Sequence, residues 1–226
     1  MKKIILLSAI TSSMLLATNG DIMFGNGAKA SGMGGVGIAV SHGSESMYAN
    51  PAMIKDVKNS EFSAYMTMFQ PDINFKSDAH PELTSNEAGL LKSKADRSFI
   101  PGFAYVHRNE DNVVWGISLA GTAGMGTDYK SSIKDTGAFD MQTELSIVKL
   151  SVPVAYTTGD LTIAVAPVLQ YSTLKINYDA DNPSNNARAS SLGLGMTAGL
   201  AYDMGNLTLG AVYKSKIEAN YKNNIS

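Results

Sequence analysis

The sequence predicts an all-β fold, a transmembrane antiparallel β-barrel with a small N-terminal segment that has no core of its own. The first observation is that apolar residues alternate with small or polar residues in seven runs between residue 58 and residue 226. Most runs have the roughly nine to eleven residues of a tilted membrane strand, whereas soluble strands average about five or six. The second observation is that the connections alternate in length. A soluble periplasmic β protein with long strands is an alternative.

Composition excludes several other classes of protein. The net charge of −2 gives no electrostatic case for nucleic acid as a partner. No stretch after residue 17 is apolar and long enough to predict a transmembrane helix. The chain has no cysteine, so a disulfide framework cannot stabilise it.

Residues 1–17 read as a cleavable signal peptide. Lys2 and Lys3 provide the charged start, residues 4–16 are mostly apolar, and Ala17 is a small residue suited to cleavage. A membrane anchor is the alternative, but this apolar core is short for a membrane span. We therefore expect an exported protein.

The segment that follows, residues 18–57, is too rich in small residues to fold alone. Residues 25–52 contain seven glycines and five alanines, with Val, Ile and Met among them. Gly32, Gly34 and Gly35 fit neither a Walker loop nor a dinucleotide fingerprint, because no strand precedes them and no GK[ST] follows. They predict tight turns and close packing, or a segment able to shift. Met23, Phe24 and Met33 are candidates for a ligand path, with simple packing as the alternative.

The seven strands are predicted from residues that share one face. In chain order these are Phe62, Ala64, Met66 and Met68; Phe99, Phe103 and Tyr105; Trp115, Ile117 and Leu119; Val148, Leu150, Val152, Val154 and Tyr156; Leu161, Ile163, Val165, Leu169 and Tyr171; Leu192, Leu194, Met196, Leu200 and Tyr202; and Leu207, Leu209, Ala211 and Tyr213.

The connections between these strands alternate between long and short. The long ones are residues 71–97, 128–141 and 179–189, and the short ones are residues 108–112, 158–160 and 203–206. Outer-membrane barrels have short periplasmic turns and long external loops. The pattern therefore predicts that the first strand runs outward and that the N-terminal segment starts at the periplasmic end.

These residues together resemble the FadL family of outer-membrane transporters for long-chain fatty acids and other hydrophobic compounds. The stretch NGDIMFGNGAKASGMGGVGIAV is similar to the family's N-terminal hatch, and Asn50, Pro51 and Ala52 match its Asn-Pro-Ala motif. The runs at residues 99–106 and 213–216 also resemble family sequences. From the residues alone, Asn50-Pro51-Ala52 predicts an ordinary turn into the first strand, whereas the resemblance implies that the motif pins the hatch to the barrel wall.

The resemblance implies a barrel of roughly fourteen strands whose lumen is plugged by the N-terminal hatch, residues 18–57. It implies passive uptake of a hydrophobic ligand through a lumenal pocket, hatch movement, and lateral exit at a kink in the third strand. It implies a monomer in outer-membrane lipid that uses no ATP, metal or cofactor. Gly121, Gly124 and Gly126 are the kink candidates, with fraying of the strand end as the alternative.

One departure from the family is large. The chain supplies seven strands, residues 58–226, and seven strands leave two open edges that lipid cannot hydrogen-bond. We therefore expect the N-terminal part of a longer protein, or a truncated gene. A non-transport structural or adhesive barrel is the second functional hypothesis.

No catalytic site is predicted. His42, His80 and His107 are far apart in the sequence and fall in different predicted elements. The chain shows no G-x-S-x-G spacing that would indicate a hydrolase.

Overall fold

The computed structural model describes residues 23–75, 91–129, 142–177 and 186–221. The predicted signal peptide lies outside these residues. The described N-terminal segment, residues 23–57, contains helix α1, Ala28–Gly32, and two 3₁₀ helices, η1, Gly43–Tyr48, and η2, Pro51–Asp56. Among the helices of the described ranges, none is long and apolar enough to cross a membrane.

The rest of the described chain is almost entirely antiparallel β-sheet. Its strands are β1 Ser60–Phe69, β2 Asn74–Phe75, β3 Leu91–Lys92, β4 Ser98–Glu110, β5 Val113–Asp128, β6 Gln142–Ser151, β7 Val154–Thr158, β8 Leu161–Asn177, β9 Asn186–Met204 and β10 Leu207–Lys214. The main sheet has the order β1-β4-β5-β6-β8-β9-β10, and β7 pairs with β5 and β8. Strands β2 and β3 form a small separate ladder. The prediction of an antiparallel all-β sheet is confirmed.

The fourth predicted strand is divided into β6 and β7 at Val152 and Pro153. Proline has no backbone N–H to donate to a ladder. The remaining groups still find partners, because the Val152 N–H donates to the Pro167 carbonyl at 3.2 Å and the Gly116 N–H donates to the Pro153 carbonyl at 2.9 Å. The strand is therefore interrupted without leaving the sheet.

The short connections are tighter than the sequence predicted. Strand β4 continues to Glu110, so its turn is residues 111–112. Gly159 and Gly205 have φ values of 56° and 63° in the other two turns, which favours glycine there. The fifth connection was predicted as residues 179–189, but β9 begins at Asn186, so residues 186–189 belong to the strand.

The two faces of the main sheet differ in side-chain size. The outer face carries large exposed apolar side chains, among them Phe62, Phe103, Leu119, Ile163, Leu192, Leu194 and Leu209. The inner face carries small residues and contacts the N-terminal segment. The core lies between the two and consists of Ala104, Val106, Val114, Ala155, Ala164 and Ala201 with Met47, Ala52, Met53, Ile54 and Val57. This arrangement suits a wall with lipid on one side and a filled interior on the other.

Candidate functional site

The N-terminal segment turns sharply because several of its glycines adopt left-handed backbone angles. Gly34 and Gly35 have φ values of 67° and 83°. At Gly35 the backbone is also crowded, since an added Cβ would lie 1.9 Å from the Phe24 carbonyl oxygen. Gly32, which ends α1, has open space around it. Two of the three glycines chosen from sequence therefore fix the path of the chain, and Gly32 does not.

Asn50 holds the middle of the segment on the inner face. Its side-chain Nδ2 donates to the carbonyls of Ile38 at 2.7 Å and Leu200 at 3.0 Å. Its Oδ1 accepts from the Ala52 N–H at 3.0 Å and so caps η2. Pro51 lies at the first position of that helix and is fully buried, as is Ala52. The Asn-Pro-Ala motif thus both caps η2 and attaches the N-terminal segment to the wall.

Three glycines of the strands let the segment approach the wall closely. An added Cβ would lie 2.1 Å from Asn50 Oδ1 at Gly199 and 2.2 Å from the Ile38 carbonyl oxygen at Gly210. At Gly116 it would lie 2.8 Å from the terminal methyl of Met47. The small residues of the inner face are therefore matched to the segment that covers it.

The end of the segment is fastened by charged side chains. Arg108 donates from Nε to the Val57 carbonyl at 2.9 Å and from its other nitrogens to the carbonyls of Lys55 and Asp111. The Lys55 Nζ pairs with Asp203 Oδ2 at 2.8 Å. These contacts attach η2 to the short turns after β4 and β9.

The start of η1 is held by a carboxylate of β1. Glu61 Oε1 accepts from the backbone N–H of Ser44 at 2.7 Å and from its hydroxyl at 3.0 Å. Glu45, the next residue, packs its carboxylate over Gly27. Burial raises the pKa of Glu45, with opposing contributions from Lys29 and His42. Burial also raises the pKa of Tyr48 to about 12, so its hydroxyl stays protonated and donates to the Phe103 carbonyl at 2.7 Å.

A cavity of about 300 Å³, named here the inner cavity, lies between the N-terminal segment and the inner face. Its apolar lining includes Met23, Phe24, Met47, Val168 and Val212. Its polar lining includes Glu45, Ser118, Lys149, Ser151 and Lys214. The volume is at the lower end of the range typical of small-molecule sites. An apolar region beside a few polar groups can accept an elongated ligand with one polar end.

A second cavity of about 380 Å³, named here the wall cavity, lies where β4 and β5 separate. Their ladder ends at the Gly102–Ala120 pair, although β4 pairs with β1 as far as Ser98 and β5 pairs with β6 as far as Asp128. The cavity is lined by residues of both separated ends, including Phe99 to Pro101, Gly121 and Ala123 to Thr127. The wall is thus not continuously hydrogen-bonded at this point of the described chain.

The separation coincides with a β-bulge in β5. Gly121 and Ala123 face the consecutive residues Val148 and Ile147, so Thr122 is an extra residue. The Thr122 carbonyl accepts a hydrogen bond from the Met23 N–H at 3.1 Å. The beginning of the described N-terminal segment is therefore attached to the bulge.

The other sequence-predicted residues can now be placed. Gly121, Gly124 and Gly126 all line the wall cavity and lie within β5, which continues to Asp128 instead of fraying. Met23 and Phe24 line the inner cavity, whereas Met33 is half exposed and is not part of that lining. Within the described residues no group of three or more His, Asp or Glu side chains could hold a metal ion.

Sequence reasoning missed the residues that attach the N-terminal segment to the wall or place charged groups in the inner cavity. These residues are Glu61, Arg108, Thr122, Lys149, Asp203 and Lys214. The two lysines could have been identified from the sequence. Each lies on the face of its strand that carries mostly small residues, whereas the opposite face of the strand is apolar. Lysine on that face points to the interior and not to lipid. Thr122 could not have been identified in this way, since a β-bulge is visible only once the strands are paired.

Comparison with known proteins identifies the family that this chain matches. Residues 25–226 match the family described as outer membrane protein transport protein (OMPP1/FadL/TodX). A long-chain fatty acid transport protein of Escherichia coli O6:H1 is 25% identical over 118 residues, which is 52% of this chain and 26% of that protein.

Solved structures agree on the fold. The toluene transporter TbuX of Ralstonia pickettii superposes with a TM-score of 0.69 and 19% identity, over 86% of this chain and 58% of that one. The toluene transporter TodX of Pseudomonas putida gives a TM-score of 0.64 and 18% identity, over 87% of this chain and 56% of that one. The chain thus spans a little more than half the length of these β-barrels. Because the family match covers far more than half of the chain, this protein belongs to the OMPP1/FadL/TodX family of outer membrane transport proteins.

Proposed function

We propose that the protein containing this chain is a passive outer-membrane channel that takes up long-chain fatty acids or other hydrophobic small molecules. The observation that carries the proposal is the seating of the N-terminal segment. It covers the inner face, borders the inner cavity and reaches the Thr122 bulge beside the wall cavity. A ligand could be bound in the inner cavity and released through the wall cavity without crossing an aqueous pore.

In this proposal residues 18–57 form the hatch. Gly34 and Gly35 shape it, and Asn50, Pro51 and Ala52 anchor it to the wall, while Gly32 has space to move. Met23 and Phe24 border the ligand path. Gly121, Gly124 and Gly126 border the lateral exit.

The remaining parts of the proposal concern the whole protein. Residues 1–17 are a signal peptide removed on export. Strands beyond this chain complete the barrel, because open strand edges cannot be satisfied by lipid. The complete barrel acts as a monomer in outer-membrane lipid and needs no cofactor, since partition of an apolar ligand into the membrane is itself favourable.

Deletion of Thr122 tests the lateral exit. Removing the extra residue leaves a regular β5–β6 ladder, which allows β4 and β5 to pair further and narrows the wall cavity. We expect uptake of a radiolabelled fatty acid or toluene by cells to fall strongly, and ligand binding to the purified full-length protein is measured alongside because Thr122 also borders the inner cavity. Thr122→Ala is the matched control, because it retains the backbone bulge.

Two results would count against the proposal. Unchanged uptake in the deletion variant would exclude the wall cavity as the exit. Unchanged uptake in a strain lacking the gene, together with lost adhesion or envelope integrity, would instead favour a structural or adhesive barrel.

A further inference from the structure

We propose that residues 215–221, named here the β10 extension, are a gate with two positions. In the folded position they lie on the inner face of β9 and close one side of the inner cavity. In the paired position they continue β10 along the edge of β9 and leave that side open. The inference rests on the proposed function, because it concerns access of a ligand to the same cavity.

The β10 extension leaves the sheet at Ser215. Strand β10 ends at Lys214, whereas the neighbouring β9 reaches as far as Asn186. The Ser215 N–H still donates to the Met196 carbonyl at 2.9 Å, as a continued ladder requires. The Met196 N–H, however, donates to the hydroxyl of Ser215 at 2.9 Å and not to its carbonyl. The ladder therefore stops halfway through this pair of residues.

Beyond this pair, the β10 extension lies on the inner face of β9. A β-carbon added at Gly193 would lie 2.5 Å from Cγ2 of Ile217, and one added at Gly195 would lie 2.5 Å from its Cγ1. The β-carbon at Gly193 would also lie 2.9 Å from the carbonyl oxygen of Glu218. Ser215 and Ile217 line the inner cavity. The extension thus forms one side of this cavity.

The displacement of the β10 extension is sideways and not along β9. The pairing of β10 with β9, continued without a shift, would place Glu218 opposite Gly193 and Asn220 opposite Ser191. The Glu218 carbonyl lies over Gly193, and the Asn220 N–H donates to the Ser191 hydroxyl at 2.8 Å. Each residue is therefore already beside its partner in the paired position, and the extension can reach that position without sliding along the strand.

The sequence of the β10 extension is that of a strand. The stretch KSKIEANY, residues 214–221, alternates polar residues with small or apolar ones. In the paired position Ile217, Ala219 and Tyr221 would continue the outer face, beside the exposed side chains of Leu192 and Leu194. A segment whose local pattern disagrees with its observed conformation is typical of a functional site.

The folded position leaves part of the β9 edge without partners. Alternate residues of a strand direct their N–H and C=O groups to the same edge, so those of Leu192 and Leu194 point the same way as those of Met196. In the described part of the chain, residues 216–219 make no backbone hydrogen bond to this edge. Pairing would supply these hydrogen bonds, whereas folding buries Ile217 against glycine. Each position has its own stabilising contribution, as a two-state element requires.

Few contacts hold the folded position. Among the described residues three hydrogen bonds join the β10 extension to β9, and two of them use serine hydroxyls. The charged side chains of Lys216 and Glu218 are exposed and pair with each other at 2.8 Å. A segment with few backbone hydrogen bonds and few buried contacts opens at low cost.

Disulfide trapping in the full-length protein, in a background free of other cysteines, tests the two positions with one common partner. Gly195→Cys with Ile217→Cys links the folded position, in which Ile217 packs on Gly195. Gly195→Cys with Lys216→Cys links the paired position, in which Lys216 would lie opposite Gly195. We expect both disulfides to form in cells. The first should abolish uptake of a radiolabelled fatty acid until a reducing agent is added, and the second should preserve uptake.

The controls are the three single-cysteine variants treated with the same oxidant. Failure of either disulfide to form would overturn the inference, since each position must be populated. Uptake that continues with the first disulfide closed would overturn it as well. If the unmodified protein takes up no ligand, the proposed function fails, although the two disulfides would still report the two positions.

Hydrogen exchange in lipid nanodiscs provides a test without cysteine. Gly193→Ala places a methyl group against Ile217 in the folded position alone, so it should drive the β10 extension to the edge of β9. We expect the amides of Leu192 and Leu194 to exchange more slowly than in the wild-type protein. Ala198→Val is the matched control, because Ala198 lies in the part of β9 that β10 already pairs with. Unchanged or faster exchange in Gly193→Ala would overturn the inference.

Discussion

The side chain of Asn50 occupies the space that a β-carbon would need at Gly199. An added Cβ would lie 2.1 Å from Asn50 Oδ1 and 3.0 Å from the Ala52 nitrogen. Asn50 also donates to the carbonyl of Leu200, the next residue of β9. The fit between one motif of the N-terminal segment and one glycine of the wall therefore decides where η2 is seated.

We expect Gly199→Ala to loosen η2 from the wall, because the buried contact cannot accept a methyl group without a backbone shift. The cost should be about 1–3 kcal/mol, as for other overpacked sites. The chain has no cysteine, so a Met47→Cys reporter at a buried position can be labelled when the segment detaches. Labelling should be faster in the Gly199→Ala protein. The matched control is Gly124→Ala, whose Cβ has no neighbour closer than 3.9 Å.

Asn50→Ala should destabilise the segment by about 2 kcal/mol or more. The variant loses the cap of η2 and leaves the buried carbonyls of Ile38 and Leu200 without their donor. Asn50→Asp keeps the cap acceptor but has no N–H to donate, so it should not rescue the protein. The urea concentration at which the Met47→Cys reporter becomes accessible measures both variants. Full rescue by Asp would show that only the cap matters.

Arg108→Lys should detach the end of the N-terminal segment despite the retained charge. A single ammonium cannot reproduce the three separate donors that serve Val57, Lys55 and Asp111. We expect a loss of about 2 kcal/mol, measured as the urea midpoint of the same reporter. Arg188→Lys is the control, because Arg188 is exposed and its ion pair among the described residues is a 3.6 Å contact with Glu144. Equal effects of the two substitutions would contradict the role of Arg108.

Seating of the N-terminal segment should weaken as the pH rises from about 4.5 toward neutrality. Burial raises the pKa of Glu45 above its ordinary value of 4.5, so the folded protein binds a proton that the unfolded chain has released. Stability falls with rising pH wherever the folded state holds more protons. Glu45→Gln should flatten this dependence of the urea midpoint between pH 4.5 and 7. An unchanged slope in the variant would assign the dependence to another group.

Leu194→Lys should impair membrane assembly more than Leu207→Lys. Both side chains are exposed on the outer face, but Leu194 lies within β9 and Leu207 begins β10 beside the turn at Gly205. A lysine facing the bilayer midplane costs about 2–4 kcal/mol, and the cost falls toward zero at the interface. The folded fraction in lipid vesicles at graded urea concentrations measures the difference. Equal costs would mean that Leu194 does not face lipid at depth.

The sequence alone determined the class of fold and the approximate position of the main strands, although the structure divides the fourth predicted strand and adds the short pair β2 and β3 within the first long connection. These properties follow from local rules, since a period of two marks a strand with two different faces and a short connection marks a tight turn. The family resemblance, and not these local rules, singled out Asn50, Pro51 and Ala52 and gave the glycines of β5 their proposed role. The composition of the N-terminal segment also placed it against walls that it could not supply itself.

The tertiary structure alone decided how these parts meet. The Thr122 bulge, the end of the β4–β5 ladder and the split at Pro153 depend on strand register, which a single strand does not encode. The hydrogen bonds from Arg108 to the N-terminal segment, and the cavity that Lys149 and Lys214 line together, bring together residues distant in sequence. Such contacts form only when the N-terminal segment packs against the inner face of the sheet, because each side chain contacts residues of other elements and not its neighbours along the chain.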